Sequence, residues 1–338
     1  MKRKGNLWTK IIDKSNLYLA FEKAKRHKSW QRKVKIIEAN LDYYIEKLQN
    51  DLITGQYKTA EYKLKTIYEP KKRDIYILPF YPDRIVHHAI MNVLEPIWDN
   101  RFIYNSYACR KNKGQHKGSI KCMEYTRKFK YCLKCDISKF YPSINHCLLK
   151  KVIRKKIKCK KTLNLLDEII DSVDTPVNVP IGNYLSQWFG NLYLNELDVF
   201  LKQKNCVKNY LRYCDDFLLF SDDKTYLNKM AKTINEYVVN ILELKLSKCV
   251  LFPTAQGVDF LGYRHFHAGY VLVRKSTAKR MKRRIKRLKY ELLKNKISKD
   301  KALSVVASLS GWLRWANSYN LRMFLELESL KKELGGNS

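Results

Sequence analysis

Two adjacent aspartates, Asp215 and Asp216, lie in the stretch NYLRYCDDFLLFSDD between apolar and aromatic flanks. Side-by-side carboxylates repel, and burying such a pair is costly unless a cation neutralises it. A third aspartate, Asp136, ends the apolar run YCLKCD. Carboxylate oxygens and water are the ligands that hard Mg²⁺ prefers, and the ion usually takes one or two carboxylates plus substrate phosphates. Two such ions about 3.5–4 Å apart can activate an attacking hydroxyl and stabilise a leaving oxygen in an in-line displacement. A hairpin turn carrying the pair, beside a strand that ends in the third aspartate, would bring three carboxylates together. The dipeptide alone is weak, because such pairs are usually solvated turns or helix caps. Asp222-Asp223, a few residues on, is expected to be one of those.

The elements that must position these groups follow from pattern. Residues 10–55 read as mainly helical. YKLKTIYEPKKRDIYILPFYPDR holds two Pro-bounded β-rich segments around a basic turn at 70–74. IVHHAIMNVLEPIW reads as a helix, and CRKNKGQHKGS as a polar, basic loop. After the strand ending on Asp136, helical patterns occupy 146–172, and TPVNVPIG leads into a helix from about Leu185 to Lys202. A strand–turn–strand spans 210–221 and a helix 224–243. Short strands follow in KCVLFP, GVDFLGYRHF and GYVLVR.

The chain of 338 residues is 45% hydrophobic, enough for a sizeable core, and carries a formal charge of +35. That excess points to a polyanionic partner. It is densest in residues 274–299, which hold 13 Lys or Arg and one acid, Glu291. Ala278, Met281, Ile285, Leu288 and Leu292 fall there at helical spacing in one thin stripe. A helix packed on one side and lying along phosphates on the other is the favoured reading, with Arg274, Lys275, Lys279, Arg280, Arg283, Arg284 and Arg287 facing nucleic acid. A solvated face or a membrane-surface helix are the alternatives. No run approaches a membrane span, and the N-terminus lacks the apolar core of a signal peptide, so a cytoplasmic location is expected. Nine cysteines, scattered from Cys109 to Cys249, fit reduced thiols. Cys132 and Cys135 read as two small residues on one strand. Neither His87 with His88 nor His265 with His267 is expected to bind metal.

Tyr213-Cys-Asp-Asp216 resembles the YxDD signature of reverse transcriptases, and Asp136-Ile-Ser-Lys-Phe-Tyr-Pro-Ser-Ile144 their first palm motif. Arg73-x-Ile-x-x-Leu-Pro and Asp83-Arg-Ile-Val resemble the fingers motifs of the bacterial, group II intron-like branch. Leu246-Ser-Lys248 and Phe260-Leu-Gly-Tyr263 resemble later palm motifs. Order and spacing agree from about residue 60 to 265. Where that branch usually carries QGxxxSP, this chain has Ile181-Gly-Asn-Tyr-Leu-Ser-Gln187, which is similar to the form in diversity-generating retroelements. Tyr107-Ala-Cys-Arg110, Lys113-Gly-Gln-His-Lys-Gly118 and the Trp312…Asn317-Ser-Tyr-Asn-Leu321 stretch look like that group too.

The resemblance implies an α+β right-hand polymerase fold: N-terminal helices and fingers over 1–130, a palm with an antiparallel sheet over 131–273 (with a fingers-linked helical segment at about 146–178), and a basic helical thumb over 274–338. It implies two Mg²⁺ ions held by Asp136, Asp215, Asp216 and the Ile137 carbonyl. Tyr141 would be a steric gate against the ribose 2′-OH. Lys71 and Arg73 would hold the triphosphate of a dNTP, while Arg84 is either structural or a template contact. Lys248 would be a proton donor to pyrophosphate. Ile181 replaces a nucleotide-touching glutamine, Gly182 would let backbone approach the nucleotide, and Gln187 is a marker of the group. The implied activity is an RNA-directed DNA polymerase that copies a template-repeat RNA into adenine-mutagenised cDNA. A structured template RNA and a small, basic, pentameric accessory protein would be its partners. With the chain ending soon after the thumb, no endonuclease or RNase H domain is expected. The alternatives are a retron, defence-associated or shortened maturase-type reverse transcriptase, or a catalytically silent RNA-binding protein on the same fold.

Overall fold

The computed structural model describes residues 2–68 and 72–335. In chain order the elements are α1 (Trp8–Ile12), α2 (Lys14–Lys25), α3 (Arg32–Ala39), α4 (Leu41–Thr54), β1 (Lys63–Ile67), β2 (Arg73–Ile77) and α5 (Ile85–Asp99). Next come α6 (Gln115–Lys128), β3 (Tyr131–Ile137), α7 (Phe140–Ser143), α8 (His146–Arg154), α9 (Lys160–Ile170) and α10 (Tyr184–Val199). Then follow β4 (Tyr210–Tyr213), β5 (Asp216–Ser221), α11 (Lys224–Asn240), β6 (Leu246–Pro253), β7 (Val258–Phe260), β8 (Tyr263–His265) and β9 (Val271–Val273). The chain closes with α12 (Lys275–Leu293), α13 (Lys299–Leu313), α14 (Tyr319–Phe324) and α15 (Leu327–Glu333). The elements form an α+β set with three sheets: β1-β2, β4-β5-β3-β6 and β7-β8-β9. Among the described residues no helix is long and apolar enough to cross a membrane.

Two compact units emerge, each assembled from three chain segments. The first is Met1–Arg110, Asp136–Lys208 and Thr233–Lys248; the second is Lys111–Cys135, Asn209–Lys232 and Cys249–Ser338. In the first unit, Leu17, Ala20 and Phe21 of α2 and Ile85, Ala89 and Ile90 of α5 are buried at helical spacing. The Asp13 carboxylate caps α2 by accepting the Ser15 N–H at 2.9 Å, and Asn145 caps α8 through the Leu148 N–H at 3.1 Å. The β1–β2 hairpin is antiparallel, with Lys63 opposite Ile77 and Ile67 opposite Arg73.

In the second unit, α12 to α15 carry a core of their own. Met281, Ile285 and Leu288 of α12 pack with Val306, Leu309 and Leu313 of α13 and with Leu327 and Leu330 of α15. The expected stripe is therefore the buried one, although Thr277 is more deeply buried than Ala278. The β7-β8-β9 sheet is antiparallel throughout. Gly262, between β7 and β8, has φ +83°, and a Cβ there would lie 2.6 Å from the Trp312 indole. Tyr263 stacks on that indole at 4.3 Å and donates its hydroxyl to the Trp312 carbonyl at 2.9 Å. The Phe260-Leu-Gly-Tyr263 motif is thus the seat of Trp312. The Gln115 amide donates to the Leu261 carbonyl at 2.8 Å, His116 stacks on Trp315 at 4.1 Å, and the Asn317 N–H donates to the Val271 carbonyl at 2.7 Å. The separate GQHKG and Trp312…Asn317 motifs therefore meet around one small sheet.

Candidate active site

The β4–β5 hairpin of the second unit presents the aspartate pair. Its register sets Tyr210 against Leu219 and Tyr213 against Asp216, leaving Cys214 and Asp215 as a two-residue turn. Primed two-residue turns suit the right-handed twist of the strands and need positive φ. Cys214 supplies it, at φ +52°. The buried Arg212 guanidinium donates to the Cys214 carbonyl at 3.0 Å and holds the turn from behind. Asp215 and Asp216 are both half-buried.

Asp216 opens β5 and meets an ammonium. Lys134 Nζ on β3 lies 3.2 Å from Asp216 Oδ2 and donates to the Asp259 carbonyl on β7 at 2.5 Å. The Lys134 and Asp216 side chains are 17% and 24% exposed. Attraction at that depth is less screened than at the surface. The Asp259 carboxylate in turn pairs with Arg274, at the start of α12.

In the first unit, Asp136 is half-buried near the end of β3, and Ile137 is buried. The Ser247 hydroxyl lies 2.7 Å from Asp136 Oδ2 and 3.1 Å from the Asp136 carbonyl. The Ser138 N–H donates to the Lys245 carbonyl at 2.7 Å, which fixes the strand end. Lys139 then takes a left-handed turn, φ +43°, into the short α7. Phe140 is buried and Tyr141 half-buried on this helix. A Cβ on Gly190 of α10 would stand 3.0 Å from Phe140 Cε1 and 3.1 Å from Tyr141 Cε1, so the glycine makes room for both rings. The Tyr141 carbonyl accepts the Val179 N–H at 2.9 Å.

The loop before α10 is stitched to β2. The Ile181 carbonyl accepts the Tyr76 N–H at 2.7 Å. Gly182 has φ +126°, and a Cβ would sit 2.3 Å from the Tyr76 carbonyl oxygen. Only glycine tolerates that backbone and that approach. The close approach shown by the structure is to β2. Ile181 is half-buried, and Gly182 and Gln187 are exposed. Arg73 is exposed at the start of β2; Lys71 lies outside the described residues. Arg84 is half-buried and donates to the Ala24 carbonyl at 3.4 Å.

Lys248 is exposed on β6. Lys275, Lys279, Arg280, Arg283, Arg284 and Arg287 are exposed on α12, whereas Arg274 is half-buried against Asp259. Arg287 also pairs with Glu291 at 2.7 Å, one turn on. Both His265 ring nitrogens are engaged, Nδ1 3.1 Å from the Val258 carbonyl and Nε2 2.7 Å from the Ser119 hydroxyl. Burial pushes the His265 imidazole down to about 4, and burial likewise pushes His88 to about 4 and His87 to about 3. Cys132 and Cys135 are both buried on β3, and Cys135 Sγ lies 3.5 Å from Cys249 Sγ.

Sequence reasoning missed two residues, Lys134 and Ser247. Lys134 stands two before Asp136, and residues i and i+2 share a strand face. Ser247 lies inside the Leu246-Ser-Lys248 motif. Among the described residues, no three His, Cys, Asp or Glu side chains are gathered as a metal-holding group. Taken one by one, the candidate ligands (three carboxylates and a main-chain carbonyl) are oxygen donors of the kind a hard divalent ion takes.

A strongly basic α+β chain with paired aspartates on a hairpin turn and a cationic helix has the make-up of a nucleic-acid polymerase. The match to known families is narrower. Residues 69–265 match the family described as reverse transcriptase (RNA-dependent DNA polymerase), and the chain belongs to that family. Its fold is the right-hand polymerase fold, its reaction is RNA-directed DNA synthesis, and such domains use divalent metal ions. Among curated relatives, Protein YkfC of Escherichia coli is 24% identical, across 68% of this chain and 73% of that one. The Putative COX1/OXI3 intron 2 protein of Saccharomyces cerevisiae is 26% identical, across 65% of this chain and 34% of its own length. The Group II intron-encoded protein LtrA of Lactococcus lactis is 27% identical, across 37% of this chain and 22% of its own. The chain thus spans about a third or less of those two intron proteins. Of solved structures, the apo telomerase from Candida tropicalis truncated from its C-terminal domain is 14% identical with a TM-score of 0.48, covering 68% of this chain and 59% of that one.

Proposed function

We propose that this chain is an RNA-directed DNA polymerase of a diversity-generating retroelement, copying a template-repeat RNA into cDNA mutagenised at adenines. The observation that carries the finer part is Ile181-Gly-Asn-Tyr-Leu-Ser-Gln187. An isoleucine side chain cannot hydrogen-bond a nucleotide where relatives of the intron-like branch have glutamine, so pairing geometry there is policed by packing alone.

Asp136 on β3 and Asp215 at the β4–β5 turn are the principal Mg²⁺ ligands in this reading, with Asp216 and the Ile137 carbonyl supporting. When bound, two such ions activate the primer hydroxyl and neutralise the leaving pyrophosphate. Tyr141 stands against a ribose 2′-OH; Arg73 and Lys71 take the triphosphate, for which a guanidinium is well shaped; Lys248 donates a proton to pyrophosphate. The exposed basic face of α12 follows the template–primer backbone. Fingers, palm and thumb are assigned to 1–130, 131–273 and 274–338. A small basic pentameric protein, a structured template RNA and a cytoplasmic setting complete the proposal.

Primer extension with Mg²⁺ on an adenine-containing RNA tests it. Expected are dNTP incorporation and errors concentrated opposite adenine, reduced in Ile181→Gln. An unchanged error spectrum in that variant would remove Ile181 from the account. A second reading, an intron-type or other bacterial reverse transcriptase, is favoured by the likeness to intron-encoded proteins. A neighbouring imperfect repeat differing mainly at adenines discriminates, since only the retroelement requires one.

A further inference from the structure

Lys134 touches a candidate metal carboxylate, yet none of the roles above employs it. Its ammonium sits 3.2 Å from Asp216 Oδ2 and is fixed from the other side by the Asp259 carbonyl at 2.5 Å. Asp259 is itself anchored through its carboxylate to Arg274. A lysine tethered at both ends is not a solvent-swept counterion. It is a permanent positive charge built into the sheet, on the face of β3 that also carries Asp136.

A fixed cation beside a carboxylate has two consequences. It stabilises the charged Asp216 before any metal arrives, so the adjacent Asp215–Asp216 pair is tolerable without one. It also competes with a divalent ion for Asp216, because each opposite charge near a carboxylate lowers its pull on the next.

We propose that Lys134 is a positioning residue that holds Asp216 as an internal ion pair, reserving Asp215 and Asp136 as the main metal ligands and keeping the empty site's affinity for divalent cations low until a nucleotide brings its own phosphates. This rests on the two-metal reading above. The cation is supplied by the chain, so substrate-free protein is stable without Mg²⁺ and metal loading is coupled to nucleotide arrival.

Two measurements on the full chain decide it. The first is a thermal-unfolding cycle in chelator with Lys134→Met, Asp216→Asn and the double variant. Lys134→Met is expected to melt lower than the parent, and adding Asp216→Asn to recover most of the loss. Recovery requires that an unpaired Asp216 be the cause; a double variant as unstable as Lys134→Met overturns the ion pair. The second is Mn²⁺ affinity without nucleotide, read by electron paramagnetic resonance in the parent, Lys134→Gln and Lys134→Arg. Lys134→Gln, which keeps a hydrogen-bond donor and loses the charge, is expected to bind Mn²⁺ several-fold more tightly, and Lys134→Arg to stay near the parent. A purely structural lysine predicts unchanged or weaker binding in Lys134→Gln, and that result overturns the reservation of Asp215 and Asp136. A parent that binds no Mn²⁺ even when a dNTP is present would overturn the two-metal reading, and the reservation with it, while the chelator cycle still decides the ion pair.

Discussion

Asp136 and Asp216 are chemically identical, half-buried and placed at strand ends, yet their surroundings differ in kind. Asp136 is met by a neutral hydroxyl, Ser247, at 2.7 Å; Asp216 is met by an ammonium, Lys134, at 3.2 Å. A hydroxyl orients a carboxylate and leaves its charge uncompensated. An ammonium orients it and also cancels most of its field. Two carboxylates of one family motif set are therefore prepared differently: one met by a neutral hydroxyl, the other with an ammonium already on one of its oxygens. Charge count alone would not separate them.

That contrast can be broken experimentally. The largest effect belongs to the carboxylates. Asp136→Asn or Asp215→Asn should slow single-turnover primer extension by about 10³-fold or more, the several kcal/mol a catalytic metal supplies. Asp216→Asn should be milder, because Lys134 already offsets that charge. Equal losses at all three positions would erase the distinction. Next is stability in chelator. Lys134→Met leaves a largely buried carboxylate without its ammonium and should cost about 1–3 kcal/mol in a denaturant titration. Smallest is Ser247→Ala, which removes one neutral hydrogen bond and should cost about 0.5–1.5 kcal/mol, with a few-fold drop in extension rate. If Ser247→Ala proved as damaging in chelator as Lys134→Met, the two environments would be equivalent and the comparison would fail.

Much of the local structure was legible because it rests on short-range chemistry. The β4–β5 hairpin is visible in the apolar and aromatic runs on either side of a polar dipeptide, and the α12 stripe in its 3-4 spacing. Asp222-Asp223 behaves as such pairs usually do: Asp222 accepts the Lys130 N–H and Asp223 the Tyr226 N–H, each at 2.9 Å, the latter at the start of α11. Gly182 was recognisable as a special position, but its closest neighbour was not, because the Tyr76 carbonyl comes from a strand more than a hundred residues earlier. The segmented units were not legible either. β3 and β6 each run from one unit into the other, and no composition shift marks a crossing made inside a strand.

The sequence by itself determined which residues could carry oxygen ligands, where strands end and turns begin, and how much positive charge the chain has to offer a polyanion. Those follow from side-chain chemistry and from periodicities of two and 3.6 residues. Only the tertiary structure decided what each carboxylate meets. Ser247 is 111 residues from Asp136, Lys134 is 82 from Asp216, and the Asp259 carbonyl that steadies Lys134 is 125 away from it. Contacts of that separation are set by which strands lie side by side, and strand order is a property of the folded sheet that no local pattern encodes.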